Sequence, residues 1–316
     1  MAKNMDAKFD LSQDYIMVAG PTASGKSALA IDLARAFDGV VINADSMQIY
    51  QDLSVVTACP DEAEKTQAPH VLYNTLDGAE ACSVGKWLKL ATAEVERAHQ
   101  SGKLPILCGG TALYLNAAQH GMSQIPEVPN DIHEQVITEH REKGGQAMLD
   151  ELAKIDVTLA DKLFAGDSQR ITRAIEVYRH TKRPLSAWQN DPQIGQLSGR
   201  AFNFFISPDR AHLYERINLR FATMWDKGAV DEVIKLRERR LDNKLPVMKA
   251  VGVPQIIDYL DGKLSREDAI AEAQMQSRRY AERQFTFFRN NFITNYTLNE
   301  TYSKSMDLNF FSNILF

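Results

Sequence analysis

Gly20-Pro21-Thr22-Ala23-Ser24-Gly25-Lys26-Ser27 fits the pattern G-x-x-x-x-G-K-[ST], a spacing that lets the backbone curl until consecutive N–H groups point at phosphate oxygens. Lys26 adds a point charge for terminal phosphates and the Ser27 hydroxyl a ligand for Mg²⁺, so the chain is expected to handle a diphosphate or a triphosphate. Asp45 is the next candidate. It follows an apolar run and would serve either as the acid that organises Mg²⁺ in a nucleoside triphosphatase or as a base for an acceptor nucleophile; Asp-Ser is also ordinary capping chemistry. A third apolar run ends in Gly109-Gly110-Thr111, where a motor ATPase would carry an acid, which lowers the ATPase reading. The two glycines allow close backbone approach to a ligand, and the Thr111 hydroxyl is suited to a bridging or leaving oxygen. Arg216 and Arg220 are four apart beside Leu213, Ile217, Phe221 and Met224 at helical spacing. One of them would neutralise a departing diphosphate, although the spacing suits a pair of surface arginines equally well.

Short apolar strands alternating with helices must position these groups. Strands are predicted at 15–19, 39–44 and 104–108, and helices at 26–37 and 83–100, the latter with Val84, Trp87, Leu88, Ala91 and Val95 in phase. This pattern implies a parallel sheet covered on both faces, with ligands at the carboxyl ends of its strands. After Gly121 a polar, helical composition without strong strands reads as an insertion over 122–199. A β-like segment at 201–207 then returns to the sheet, a helical stretch runs from Pro208 to about residue 241, and further helices follow near 255–260, 266–275 and 277–289. The expected organisation is a catalytic core of 1–121 and 200–294, the inserted helical domain, and a tail of 295–316 without clear period or function.

At 316 residues, 44% apolar and 24% charged, the chain has the composition of a soluble globular protein with room for one large core and a smaller insertion. No run approaches the roughly 18 apolar residues of a membrane span, and residues 1–14 contain acids but no apolar signal core, so a cytoplasmic protein is expected. Cys59, Cys82 and Cys108 lack C-x-x-C spacing and the histidines lack metal-ligand spacing, which leaves Mg²⁺ on phosphate as the expected metal. The net charge of −5 argues against a surface basic throughout. Basic residues nevertheless cluster at 170–183, 235–244 and 278–289. Each cluster alone reads as a solvated helix face with counter-charges such as Glu176, Glu238 and Glu282; three of them on a phosphate-binding chain point to a polyanionic partner.

Taken in order, GPTASGKS at 20–27, NADSMQIY at 43–50, VVTACP at 55–60, PHVLY at 69–73, LPILCGGTALYLNA at 104–117, DSQRITRAIEVYRHTKRPLS at 167–186 and RINLRF at 216–221 closely resemble the bacterial tRNA dimethylallyltransferases, also called tRNA isopentenyl-diphosphate transferases. The resemblance runs from about residue 15 to residue 290. It implies a P-loop NTPase-like α/β core, a parallel sheet flanked by helices, with an inserted helical tRNA-binding domain. It also implies a Mg²⁺-dependent transfer of the dimethylallyl group from dimethylallyl diphosphate to N6 of adenosine 37, beside the tRNA anticodon.

On that resemblance Gly20, Thr22, Ala23, Ser24, Gly25, Lys26 and Ser27 hold the diphosphate, with Ser27 near the metal. Asp45 is the base on the adenine N6, Thr111 binds a bridging oxygen, and Arg220 stabilises the departing charge. The tRNA anticodon stem-loop is expected on Asp45, Ser46, Met47 and Gln48, on Gln169, Arg170, Ile171, Thr172 and Arg173, on 249–254 with Lys249 and Gly252, and on Arg278, Arg279 and Arg283. His133 stands where the family commonly has an arginine that touches tRNA. The chain departs from the family's R-x-V-G-Y and A-K-R-Q at Lys249-Ala250-Val251-Gly252-Val253 and at Ala281-Glu282-Arg283-Gln284, changes on the nucleic-acid surface. A monomer without membrane contact is the default. The rival readings are a small-molecule kinase with Arg170 and Arg173 as lid arginines, an enzyme that alkylates free AMP, for which the insertion lacks a purpose, and a non-catalytic nucleic-acid module, which leaves the phosphate loop unexplained.

Overall fold

Continuous apolar runs form the centre of the sheet because strands covered on both faces have no polar side to present. In the computed structural model, Tyr15–Ala19 (β1), Gly39–Asn43 (β2) and Leu104–Gly109 (β4) are buried at every position. His70–Val71 (β3), Ala201–Ile206 (β5) and Tyr296–Leu298 (β6) complete one parallel sheet, in the order β3-β2-β4-β1-β5-β6 among the described residues, 9–303 and 308–315. Residues 1–8 of the expected core, and 304–307 and 316 of the expected tail, lie outside the described residues.

In register, Ala19 lies beside Gly109 and Phe205, and Asn43 beside Cys108. The turns after β1, β2 and β4 therefore open side by side at one carboxyl edge. The helix Lys26–Ala36 follows the first turn, with Leu29, Ala30 and Leu33 buried. Val84–Gln100 is capped by Ser83, whose hydroxyl accepts the Lys86 N–H at 3.1 Å, and buries Trp87, Leu88, Ala91 and Val95.

The chain divides into two compact units, residues 120–196 and the remainder. The neck of the smaller unit is closed by paired bonds, Met122 N–H to Ile194 O at 2.9 Å and Ile194 N–H to Met122 O at 3.1 Å, so it begins and ends slightly earlier than 122–199. Its helices Asn130–Ile155 and Ser168–Thr181 enclose Val136, Met148, Leu152, Ile171 and Ile175.

Three expectations change. The segment set apart as a tail supplies β6 and the helix Leu308–Leu315, whose Phe311 and Leu315 are buried in the main core. The helices expected at 266–275 and 277–289 are one helix, Arg266–Asn291, because no glycine or proline interrupts that stretch. The long stretch to 241 divides into Arg210–Met224, a π-helical turn Trp225–Ala229 and Val230–Glu238, the change falling at Gly228, φ +100°. No helix among the described residues is long and apolar enough to cross a membrane.

Candidate active site

The loop after β1 wraps onto the amino end of Lys26–Ala36. Gly25 has φ +96°, a left-handed conformation that disfavours side chains. Lys26 Nζ donates to Pro21 O at 2.7 Å, and burial pulls its pKa down to about 8, opposed by the negative field of Asp45. The Ser27 hydroxyl makes no hydrogen bond among the described residues and lines the cavity below.

Helix Arg210–Met224 buries Leu213, Ile217, Phe221 and Met224, and this orients its arginines. Arg220 donates to the Thr22 hydroxyl and Arg216 Nε to Ala23 O at 2.9 Å, so both reach the loop. Arg216 is exposed, whereas burial lowers the Arg220 pKa to about 10, a value that keeps the guanidinium charged at neutral pH.

Asp45 is presented by a tight turn built on Asn43, which the sequence reading passed over. Buried Asn43 accepts the Asp45 N–H at 2.8 Å and donates to Asp45 O and Leu72 O, each at 3.0 Å. Trp87, stacked on Tyr114, donates to Asn43 O at 2.9 Å. Asp45 Oδ1 accepts the Met47 N–H at 3.0 Å; its other oxygen makes no hydrogen bond among the described residues.

The turn after β4 ties these parts together. Thr111 Oγ1 accepts the Ser46 N–H at 2.9 Å and donates to the Ser46 hydroxyl at 3.2 Å. Gln284, buried in helix Arg266–Asn291, accepts the Thr22 N–H at 2.9 Å and donates to Gly110 O at 2.8 Å. It bolts the first loop to the third. A Cβ at Gly110 would lie 2.1 Å from Gln284 Nε2, so a side chain there would expel the bolt. Tyr280, whose phenol pKa is raised by burial, stands beside Thr111 and Gln284. The motif A-E-R-Q had marked Gln284 only as part of a pattern; its partners are too distant in sequence for spacing to find.

Thr22, Lys26, Ser27, Asp45, Gly109 and Arg220 line one cavity of about 900 Å³, whose other wall includes the apolar Val55, Ala58 and Leu219. Gln48 reaches that wall and donates to Thr57 O at 2.9 Å and Ala58 O at 2.8 Å. Cys59, Cys82 and Cys108 are free thiols, and burial pushes Cys59 up to about 11. Among the described residues no three His, Cys, Asp or Glu side chains group to hold a metal.

The residues expected on RNA divide by exposure. Ile171 and Thr172 are buried in the insertion, Thr172 donating to Ser168 O at 2.8 Å, because the helix turns that face inward; only Gln169, Arg170 and Arg173 of that stretch offer their side chains. Arg173 and His133 both sit on the buried carboxylate of Glu176, at 2.8 and 2.6 Å. Gly252 is buried where the chain turns into Val253–Leu260, while Lys249 is exposed. Arg278 donates to Asn218 Oδ1 at 2.6 Å; Arg279 and Arg283 are exposed, and neither forms an ion pair among the described residues. Glu282 pairs instead with Arg210 at 3.2 Å and accepts the Tyr214 phenol, so the acid at the departure position is committed to the neighbouring helix.

This arrangement has close counterparts. A tRNA dimethylallyltransferase of Methylobacterium sp. (strain 4-46) is 50% identical over 275 residues, 87% of this chain and 90% of that protein. One from Rhodospirillum rubrum is 46% identical over 291 residues, 92% of this chain and 89% of its own length. The crystal structure of the full-length tRNA isopentenylpyrophosphate transferase from Bacillus halodurans matches with a TM-score of 0.67 at 32% identity, over 96% of each chain. A eukaryotic dimethylallyltransferase, solved acting on tRNA, matches with a TM-score of 0.72 at 28% identity, over 87% of this chain and 70% of that one. The family described as IPP transferase matches residues 48–291, from the Asp45 turn's Gln48 to the end of the helix that carries Gln284. With its phosphate loop, Asp45 turn and arginine helix on this sheet, the chain belongs to the IPP transferase family.

Proposed function

We propose that this chain transfers the dimethylallyl group of dimethylallyl diphosphate to N6 of adenosine 37 in tRNA, giving N6-isopentenyladenosine and diphosphate. The observation that carries this reading is the convergence of a phosphate loop, a carboxylate with an uncommitted oxygen and a half-buried arginine on one cavity. The N6 lone pair bonds to the allylic carbon as the carbon–oxygen bond breaks. The electron pair leaves with the diphosphate, and the N6 proton passes to Asp45. An exocyclic adenine amine is a poor nucleophile, so a carboxylate that drains its developing positive charge lowers the barrier. Lys26 and Arg220 stabilise the opposite charge on the leaving group, and Thr111, whose hydroxyl proton points at Ser46, would turn it to the bridging oxygen.

The uncommitted Ser27 hydroxyl fits Mg²⁺, an ion that takes few protein ligands and completes its shell with phosphate oxygens and water. Ser27 would hold it, and the ion supplies further neutralisation of the diphosphate. The adenine must leave the anticodon-loop stack, which costs a few kcal/mol and less in a loop than in a duplex. Exposed Arg279 and Arg283 on the core, and Gln169 and Arg170 on the insertion, are the groups best placed in each unit to meet the RNA backbone. β4 leads into Gly109-Gly110-Thr111 and not into an acid that would bind metal and position water, which favours alkyl transfer over the ATPase reading.

The test incubates the protein and Mg²⁺ with dimethylallyl diphosphate and either unmodified tRNA or AMP, then analyses the nucleosides by mass spectrometry. An adenosine heavier by one dimethylallyl group, formed with tRNA alone, is the expected result; alkylation of AMP with tRNA untouched would overturn it. A pH dependence follows from Lys26. Its folded pKa lies below the ordinary value, so the free protein loses the ammonium as pH rises through about 8. The bound anion favours the charged form, so binding above that pH takes up a proton and pyrophosphate affinity falls by up to about tenfold per pH unit. Titration calorimetry in buffers of different ionisation enthalpy reads both effects; an affinity flat across about pH 7 to 10 removes Lys26 from the diphosphate site.

A further inference from the structure

We propose that Tyr302, outside the matched family segment, is a positioning residue that aims the phosphate loop at its ligand. The chain after β6 is anchored by the sheet, Ser207 N–H donating to Leu298 O at 2.7 Å, and then crosses the loop. Tyr302 N–H donates to Ser24 O at 3.3 Å, and its phenol donates to Asp32 Oδ2 at 3.0 Å. Asp32 belongs to the helix that the loop opens, so one residue grips both the loop and the helix. Tyr302 is 3% exposed, with its ring against Phe311 at 6.2 Å.

The consequence lies in the peptide that joins Ser24 to Gly25. A trans peptide is planar, with its carbonyl and its N–H pointing in opposite directions. Holding Ser24 O toward Tyr302 therefore turns the Gly25 N–H away from it; Gly25 lines the cavity, and its N–H makes no hydrogen bond among the described residues. The contact is close enough to constrain position 25, where a Cβ would stand 2.8 Å from Tyr302 O. Without the grip, an array of converging N–H dipoles with no ligand between them repels itself and must be ordered on each binding event.

This inference rests on the loop being the diphosphate site, and the experiment separates the two. Hydrogen exchange is followed on the full chain with Mg²⁺ and inorganic pyrophosphate as the probe. Because coupling is reciprocal, protection is expected in peptides covering both 20–30 and 296–303. Protection of the loop with an unchanged 296–303 peptide overturns the role of Tyr302 and leaves the diphosphate site standing; an unprotected loop removes the site and this inference with it. Tyr302→Phe, which keeps the ring and loses the bond to Asp32, is expected to weaken pyrophosphate binding about fivefold while tRNA affinity stays within about twofold. A merely structural residue would move both affinities together, and equal pyrophosphate affinity in the variant would also count against the proposal.

Discussion

Asp45→Ala should turn over about a thousandfold more slowly than the parent enzyme, with dimethylallyl diphosphate still bound. The turn that carries Asp45 is held through its main-chain N–H and carbonyl by Asn43, so truncation removes the carboxylate without dismantling the turn. Asp45→Asn sharpens the test. The amide retains an oxygen for the Met47 N–H but cannot take the N6 proton, so it should be nearly as slow as alanine. Single-turnover rates against pyrophosphate affinity separate the two functions, and an asparagine variant close to wild-type speed would eliminate proton acceptance by Asp45. The comparison belongs near neutral pH. Asp45 helps to keep Lys26 charged, so its removal lowers the Lys26 pKa further and would weaken donor binding in alkaline buffer.

Arg220→Ala should lose about a hundredfold to a thousandfold in turnover, the effect typical of removing one preorganised group from a site of developing charge. Its guanidinium is desolvated beside Thr22, where a charge acts more strongly than on the surface, and its lowered pKa, about 10, still leaves it protonated under assay conditions. Lysine should restore little, since a flexible ammonium cannot reproduce a planar fork that both holds the Thr22 hydroxyl and meets a phosphate oxygen. Arg216→Ala provides the contrast. That side chain is exposed and spends its Nε on Ala23 O, so a loss of only a few fold is expected. Equal losses at the two positions would mean that both arginines serve the loop's shape and neither serves the leaving group.

The parts of the site that sequence reveals are those whose causes are local. β1, β2 and β4 declare themselves by uninterrupted apolar runs, and the groups at their ends follow within eight residues of sequence, Asp45 and Thr111 within two. Arg220 stayed ambiguous because helical spacing gives a face, and only the burial of Ile217 and Phe221 says what that face meets. Gln284 was hidden for a plainer reason. Its two bonds reach Thr22 and Gly110 across 262 and 174 residues, and no periodicity encodes such pairings. β6 is similarly silent: three residues are too few for an alternating pattern, and they become a strand by docking on β5, with Asn203 N–H donating to Asn295 Oδ1 at 2.8 Å beside the join. The burial of Ile171 and Thr172 was legible in principle, since both lie in phase with Ile175.

The order β2-β4-β1 at the centre of the sheet has a metric consequence. The turn carrying Asp45 and the phosphate loop are separated by one intervening strand, hence by two hydrogen-bonded spacings, about 10 Å in all. The middle strand ends at Gly109, two residues before Thr111, between them. A backbone ladder is stiffer than any side chain, so the sheet acts as a ruler that sets how far a leaving oxygen stands from an incoming nitrogen. Widening the cavity wall at Val55 or Leu219 would change which alkyl group is admitted, but the reach between the two ends would remain a property of the main chain. Substrate range and reaction distance are thus written in separate parts of the molecule, and the first can drift while the second holds.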